Sequence, residues 1–173
     1  MQYKIIDKFL ELSFFEKVFK EISSSEISWF YRAFDVSDVS NGLTKNKNGY
    51  FNHTFYNNDE PMSALYFSFI KDILQKMNAS TVMSVVANLC LRDIDCIESP
   101  YHVDRPYINS KTAILYLTTC NAKTILKIDD KEIPVESIEN RLLVFNANIK
   151  HKVIYQTDKH KRYVINFNYY ERN

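Results

Sequence analysis

Apolar positions change their period near residue 80. Before it, Tyr3-Lys4-Ile5-Ile6 reads as a short strand. Ser13-Phe14-Phe15-Glu16 then matches a capping box ahead of Val18, Phe19 and Ile22 at helical spacing, which predicts a helix over about 13–22. Ile27 to Tyr31 suggests a strand with an aromatic face, and 36–48 is polar and reads as loop. Gly49 to Tyr56 alternates as a strand should. Asp59 and Pro61 signal a helix start, and Leu65, Phe69, Ile73, Leu74 and Met77 keep helical spacing, so a long amphipathic helix is expected over about 60–77. From Thr81 the pattern becomes strand-like. Val82 to Leu91 is almost continuously apolar, and short strands recur at about 111–118, 123–128, 131–135, 141–145, 151–155 and 162–170. Helices first and strands last predict an α+β, mainly β chain whose second half is a sandwich or barrel.

Composition supports this division. Tyr and Phe number 12 each, and large aromatics favour pleated surfaces. With only 2 glycines, turns must lean on Asn, Asp and Ser, as at Asn46-Lys47-Asn48-Gly49, Asn57-Asn58 and Asp129-Asp130. The 173 residues suit one domain, 1–173, with 1–80 as support and 81–170 as β core. No linker, repeat or low-complexity tract suggests a second. The 22 basic and 21 acidic residues leave a net charge of +1, so no global field recruits nucleic acid or membrane. Three cysteines, Cys90, Cys96 and Cys120, form no CxxC pair, and their odd number argues against a disulfide framework. Charges scattered through residues 1–20 exclude the apolar core of a signal peptide, and no apolar run is long enough to span a bilayer. A cytoplasmic location is expected.

The candidate chemistry gathers at Pro100-Tyr101-His102-Val103-Asp104-Arg105. In an extended segment alternate side chains share a face, so His102 and Asp104 offer one imidazole and one carboxylate to a single metal. His151, just past the apolar run Arg141 to Phe145, is the third candidate. Two imidazoles and a carboxylate are the facial triad of non-haem Fe(II) oxygenases, which leaves coordination positions open. Against this, HxD is common by chance and could be a surface pair with Arg105. Arg162 opens the closing strand, where the even-numbered residues share a face. An inward guanidinium requires an anion, because a buried unpaired charge costs roughly 3–5 kcal/mol, and its planar fork suits a carboxylate. Lys159 and Lys161 compete for that role. Asn166 and Asn168 share the Arg162 face and could donate hydrogen bonds around a ligand. His53 and His160 read as structural and solvated, respectively.

The order His102-x-Asp104, Ala113-Ile114-Leu115-Tyr116-Leu117-Thr118, Asn140 to Phe145, His151 and Arg162 to Phe167 resembles the 2-oxoglutarate and Fe(II)-dependent oxygenases. The likeness covers about residues 80–170 and is greatest to small prolyl 4-hydroxylase-like members, including phage-type ones. It implies a double-stranded β-helix (jelly roll, cupin-like) buttressed by N-terminal helices. It also implies His102, Asp104 and His151 as catalytic iron ligands, with Fe(II), 2-oxoglutarate and O2 as cofactor and cosubstrates. By the same resemblance Arg162 and Tyr116 would hold the far carboxylate of 2-oxoglutarate, and Asn88, an amide in the apolar strand Val85 to Leu89, would meet its metal-proximal end. Two departures are Cys90, where many relatives have Tyr, and Ala122-Lys123, where some have Gly-Gly.

The implied activity is hydroxylation of a C–H bond with release of succinate and CO2, on a prolyl or other protein side chain, with nucleobases and metabolites open. Residues 36–60 and 92–100 are expected to border the cavity. The alternatives are a cupin-type metalloenzyme without a keto acid, which usually needs further His or Glu ligands, and a catalytically silent β-helix serving as an interaction or phage accessory protein.

Overall fold

A computed structural model describes residues 2–33, 49–92, 98–104 and 107–172. The expectations placed on 36–48, on Arg105, and on Cys96 with 93–97 lie outside these residues. No helix among the described residues is long and apolar enough to cross a membrane.

The chain begins with β1 (Tyr3–Ile6) and α1 (Leu12–Ser23), continues through β2 (Phe30–Arg32), β3 (Tyr50–Asn57) and β4 (Glu60–Pro61), and reaches α2 (Lys71–Lys76) by way of a π-helical turn, Tyr66–Ile70. Seven strands follow: β5 (Ala79–Leu91), β6 (Lys111–Tyr116), β7 (Lys123–Ile128), β8 (Lys131–Glu136), β9 (Arg141–Asn146), β10 (Lys150–Ile154) and β11 (Lys161–Glu171). They form two sheets. The larger runs β1-β9-β6-β11-β5-β3-β2 with β4 on β3, and the smaller β10-β7-β8, all antiparallel. This is the double-stranded β-helix with helices against one sheet.

Each face of the large sheet has its own core, because side chains alternate along a strand. Odd-numbered residues of β5, β6 and β11, among them Val85, Leu115, Ile165 and Phe167, pack with Val18, Ile22, Phe69 and Ile73 of the helical layer. Even-numbered residues, among them Ile114, Tyr116 and Val164, face the small sheet and meet Leu126, Val135 and Phe145. The cavity described below opens between the sheets.

Two helical boundaries differ from expectation. Helix α1 starts at Leu12, with Glu11 at its N-cap and no side-chain capping bond, so Ser13 and Glu16 lie inside the helix. Glu60 and Pro61 belong to a hairpin with β3, not to a helix, because Asn58 and Asp59 both take positive φ and turn the chain back so that Asn57 pairs with Glu60. The turn signal Asp-x-Pro fits either outcome. Asp129 and Asp130 make the same kind of turn between β7 and β8. Among the described residues every non-glycine positive φ except that of Lys8 falls on Asn or Asp, as the scarcity of glycine requires.

Candidate metal centre and anion cavity

His102 and His151 face one another through a reciprocal backbone pair: each amide N–H donates to the other's carbonyl at 2.9 Å. Directly opposed residues on antiparallel segments project to the same side, so the two imidazoles converge, with ring centroids 4.4 Å apart. Asp104, two residues on, swings its carboxylate to the same point. Its Oδ1 is 3.7 Å from Nε2 of each histidine. One ligand atom from each of the three residues lies within 4.8 Å of the others.

The tautomers suit a cation. Nδ1 of His102 is 3.1 Å from the Pro100 carbonyl and Nδ1 of His151 is 3.2 Å from the Ile149 carbonyl. A carbonyl only accepts, so both Nδ1 atoms carry the proton and both Nε2 lone pairs point inward. Burial pushes the His151 imidazole below its usual pKa, against the opposing pull of Asp104, which keeps it neutral. Asp104 Oδ2 is buried without a hydrogen-bond partner among the described residues. Two inward lone pairs and an orphaned carboxylate oxygen leave a cation as the missing member, and the donor set fits a divalent first-row metal.

The triad borders a cavity of about 330 Å³. Its other end is Arg162, 2% exposed, whose Nε–H donates to Ser137 Oγ at 3.3 Å and whose guanidinium lies 5.7 Å from the centre of the Tyr116 ring. No described carboxylate pairs with it. Cys90, opposite Arg162 in the β5–β11 register, has a thiol pushed up by burial, with the guanidinium acting against the shift. Lys159 and Lys161, the competing cations, are exposed.

Asn88 and Asn166 both line the cavity, and Asn166 Oδ1 is buried with no partner among the described residues. Asn168 shares their face but is engaged, accepting from Thr112 Oγ1 and donating to Ser84 Oγ. Tyr116 is fully buried between the sheets, beneath the cavity wall. Its hydroxyl bonds Thr124 Oγ1 at 2.7 Å, and burial pushes the phenol up to about 12. Thr124 lines the cavity in its place. So the structure brings together His102, Asp104, His151, Arg162, Asn88 and Asn166 around one hollow and sets Tyr116 behind it. Of the stretches expected at its border, Tyr50, Ser99 and Pro100 do line it. His53 is structural: its ring nitrogens meet the Ser28 carbonyl and Ser63 Oγ.

Thr124 and Tyr155 also line the cavity, and the sequence does not single them out. Thr124 sits opposite Val153 in the β7–β10 register, and His151, Val153 and Tyr155 alternate onto the cavity face. Counting by twos from His151 was the available signal.

No sequence-family model matches the chain, and no curated protein does. Solved structures do. A prolyl-4-hydroxylase from Pseudomonas putida superposes with a TM-score of 0.63 at 14% identity, covering 99% of this chain and 94% of its own. A prolyl hydroxylase from Trichoplax adhaerens, in complex with a hypoxia inducible factor oxygen degradation domain peptide fragment, gives 0.67 at 16%, covering 98% and 84%. An oxidoreductase of the 2OG-Fe(II) oxygenase family from Burkholderia pseudomallei gives 0.71 at 8%, covering 99% and 86%. The chain therefore has the double-stranded β-helix fold of the 2-oxoglutarate and iron oxygenases. Within that fold it is similar over nearly its whole length to prolyl hydroxylases.

Proposed function

We propose that the protein is an Fe(II)- and 2-oxoglutarate-dependent dioxygenase that hydroxylates a C–H bond. The observation that carries this reading is the pairing, in one cavity, of a converged His102, Asp104 and His151 with a buried Arg162 that no described carboxylate meets. A metal site alone fits many enzymes. A metal site facing a buried cation asks for a ligand that is both chelating and anionic, and a keto diacid is such a ligand.

His102, Asp104 and His151 would hold the metal on one face, and the cavity side remains open for cosubstrates. Bound Fe(II) and 2-oxoglutarate would supply oxidative decarboxylation with O2, yielding succinate and CO2 coupled to hydroxylation. The rest is the work of the protein. Arg162 neutralises and orients the far carboxylate, and Ser137 fixes the plane of the guanidinium through Nε. Asn88 and Asn166 place amide groups along the cavity between the two ends. The apolar residues Ile114, Val153 and Val164 line its wall and keep the hollow dry. Likeness to prolyl hydroxylases supports a prolyl or other protein side chain as primary substrate.

A cupin-type enzyme without a keto acid would usually add a fourth protein ligand, and among the described residues the cluster holds three. A silent interaction protein would have no use for a neutral-histidine triad opposite a buried cation. Anaerobic titration separates these readings. A visible charge-transfer band that requires both Fe(II) and 2-oxoglutarate is expected. Its absence, with the protein folded and the metal bound, would end the keto-acid reading.

A further inference from the structure

Resting on the reading above, we infer that the cavity-side face of β2 and β3 seats the primary substrate, and that this substrate is a protein segment with an acidic residue a few positions from the oxidised one. The large sheet is wider than the small one. Residues of β6, β9 and β11 pack beneath the small sheet, and among the described residues none from β2 or β3 joins them. On β3 the two faces differ accordingly: His53 and Phe55 are buried, whereas Asn52 and Thr54 on the cavity side stay partly exposed. All three residues of β2 are exposed, Phe30 at 61%.

This open ledge is continuous with the cavity. Directly opposed residues of antiparallel strands project to one side, and Phe30, Asn52 and Asn88 stand opposite one another in turn across β2, β3 and β5. Asn88 lines the cavity at the inner end of that row. In the next row Arg32 stands opposite Tyr50, another lining residue. Burial raises the Tyr50 phenol, Arg32 opposes the shift and Asp104 adds to it, so one side chain feels both the guanidinium and the metal-binding carboxylate.

The chemistry of the ledge selects its occupant. An amide both donates and accepts, so Asn52 and Asn88 match a peptide group, which does the same, better than a carboxylate, which only accepts. No described carboxylate pairs with Arg32, and its planar fork suits one. Glu98 and Glu132, beside the metal-ligand segment, are already tied to Lys152. β2 lies two strands from β5, roughly 10 Å at the spacing of a sheet, which is the reach of about three extended residues. A small metabolite held at the metal does not span that distance. A peptide does, and Arg32 then meets a carboxylate about two to four positions from the oxidised residue.

The test uses protein loaded with Mn(II) and 2-oxoglutarate without oxygen, and reads the broadening of peptide proton resonances by the bound Mn(II). The probes are short acetylated and amidated alanine peptides with a central proline and one Asp placed two, three or four positions to either side, each matched by a peptide with Asn in its place. At least one Asp peptide should bind about threefold to fivefold more tightly than its Asn partner, the size of an exposed ion pair. Arg32→Gln should erase that preference. Asn52→Ala should weaken both members of the pair about fivefold, the loss of one neutral hydrogen bond, and keep the preference. Both variants should bind 2-oxoglutarate as the unaltered protein does. Equal binding of every Asp and Asn pair, a preference that survives Arg32→Gln, or no broadening of any peptide overturns the inference while the proposed function stands. Stronger broadening of a single-stranded oligonucleotide than of any peptide overturns it too. An unaltered protein that binds Mn(II) but not 2-oxoglutarate overturns the proposed function and this inference together.

Discussion

The two ends of the cavity are built in opposite ways. The anion end is part of the large sheet. Arg162 sits on β11, hydrogen-bonded on one side to β5 along almost its whole length and close to β6 on the other, and its side chain is almost inaccessible. The metal end hangs on the segment 98–104, which meets β10 at two bridges, Glu98 with Ile154 and His102 with His151, and at Ser99, whose N–H donates to the Val153 carbonyl and whose Oγ accepts from the Val153 N–H. His102 is exposed while His151 is buried. A sheet can hold a guanidinium in place before any ligand arrives, whereas three ligands on two separate pieces of chain become rigid only when a cation joins them. Removing a ligand should therefore do the greatest damage. His102→Ala or Asp104→Ala is expected to abolish turnover and lower metal affinity by at least about a hundredfold, measured by chelator competition and succinate release. Metal binding at unaltered affinity in either variant would refute the triad.

At the anion end the same logic yields a sign reversal. Arg162→Met should weaken 2-oxoglutarate binding about a hundredfold, since a bidentate charge pair is lost, and leave metal affinity intact. The ligand-free protein should become more stable, because a buried charge that no described carboxylate pairs with has been replaced by an apolar chain, by about 1–4 kcal/mol. Denaturant titration of both proteins without ligand checks this. A destabilised Arg162→Met would mean that the guanidinium already has adequate partners, and the demand for an anion would vanish.

How much of this was legible follows from the same contrast. His151 and Arg162 could be read because each stands beside an apolar run on a strand, and His102 with Asp104 because alternate side chains of an extended segment share a face. Tyr155 follows from the same alternation two steps on from His151, but Val153 and Ile154 are both apolar, so the short β10 declares its inward face only through that histidine. Tyr116 was placed by likeness of position on its strand, and its strand and face are as expected. The hydroxyl's bond to Thr124 depends on the spacing of two sheets, which no local pattern encodes. The expected helix over 60–77 shortened for a related reason: Asp59 and Pro61 punctuate a hairpin as well as they start a helix, and only pairing with β3 decides. The resemblance was carried by motif order, which survives where overall similarity to any sequence family does not.

Alkali should test the buried phenols. Burial lifts the Tyr116 phenol from 10.0 to about 12, and Tyr155 and Tyr169 are pushed in the same direction. A group whose folded pKa is raised contributes stability that is complete below its unfolded value and is lost as pH rises through the folded one. Stability should therefore be flat up to about pH 10 and fall between there and about pH 12. For Tyr116 alone the loss is about 1–3 kcal/mol. Denaturant midpoints across the range, with phenolate absorbance followed in parallel, test this, and ionisation of all tyrosines together near pH 10 would contradict the burial of these three.

The smallest expected effect concerns what steadies the metal end. Lys152, beside His151, reaches Glu98 Oε2 at 2.7 Å and Glu132 Oε1 at 3.2 Å and lies 4.8 Å from the centre of the Tyr101 ring, while the Tyr101 hydroxyl donates to Glu132. Those acceptors raise the Lys152 pKa against its own partial burial. The network joins the loosely bridged segment to β10 and β8, so Lys152→Met should loosen the seat of His102 and Asp104 without touching the metal. Partly exposed ion pairs are weak, so metal affinity should fall only about twofold to fivefold. The loss should shrink in high salt, where the network is already screened. Affinity of the metal-loaded protein for 2-oxoglutarate should not change, because Arg162 is held by a different sheet. Were both affinities to fall together and independently of salt, the two ends would share one support, and the contrast between a preformed anion end and a metal end completed by its cation would fail.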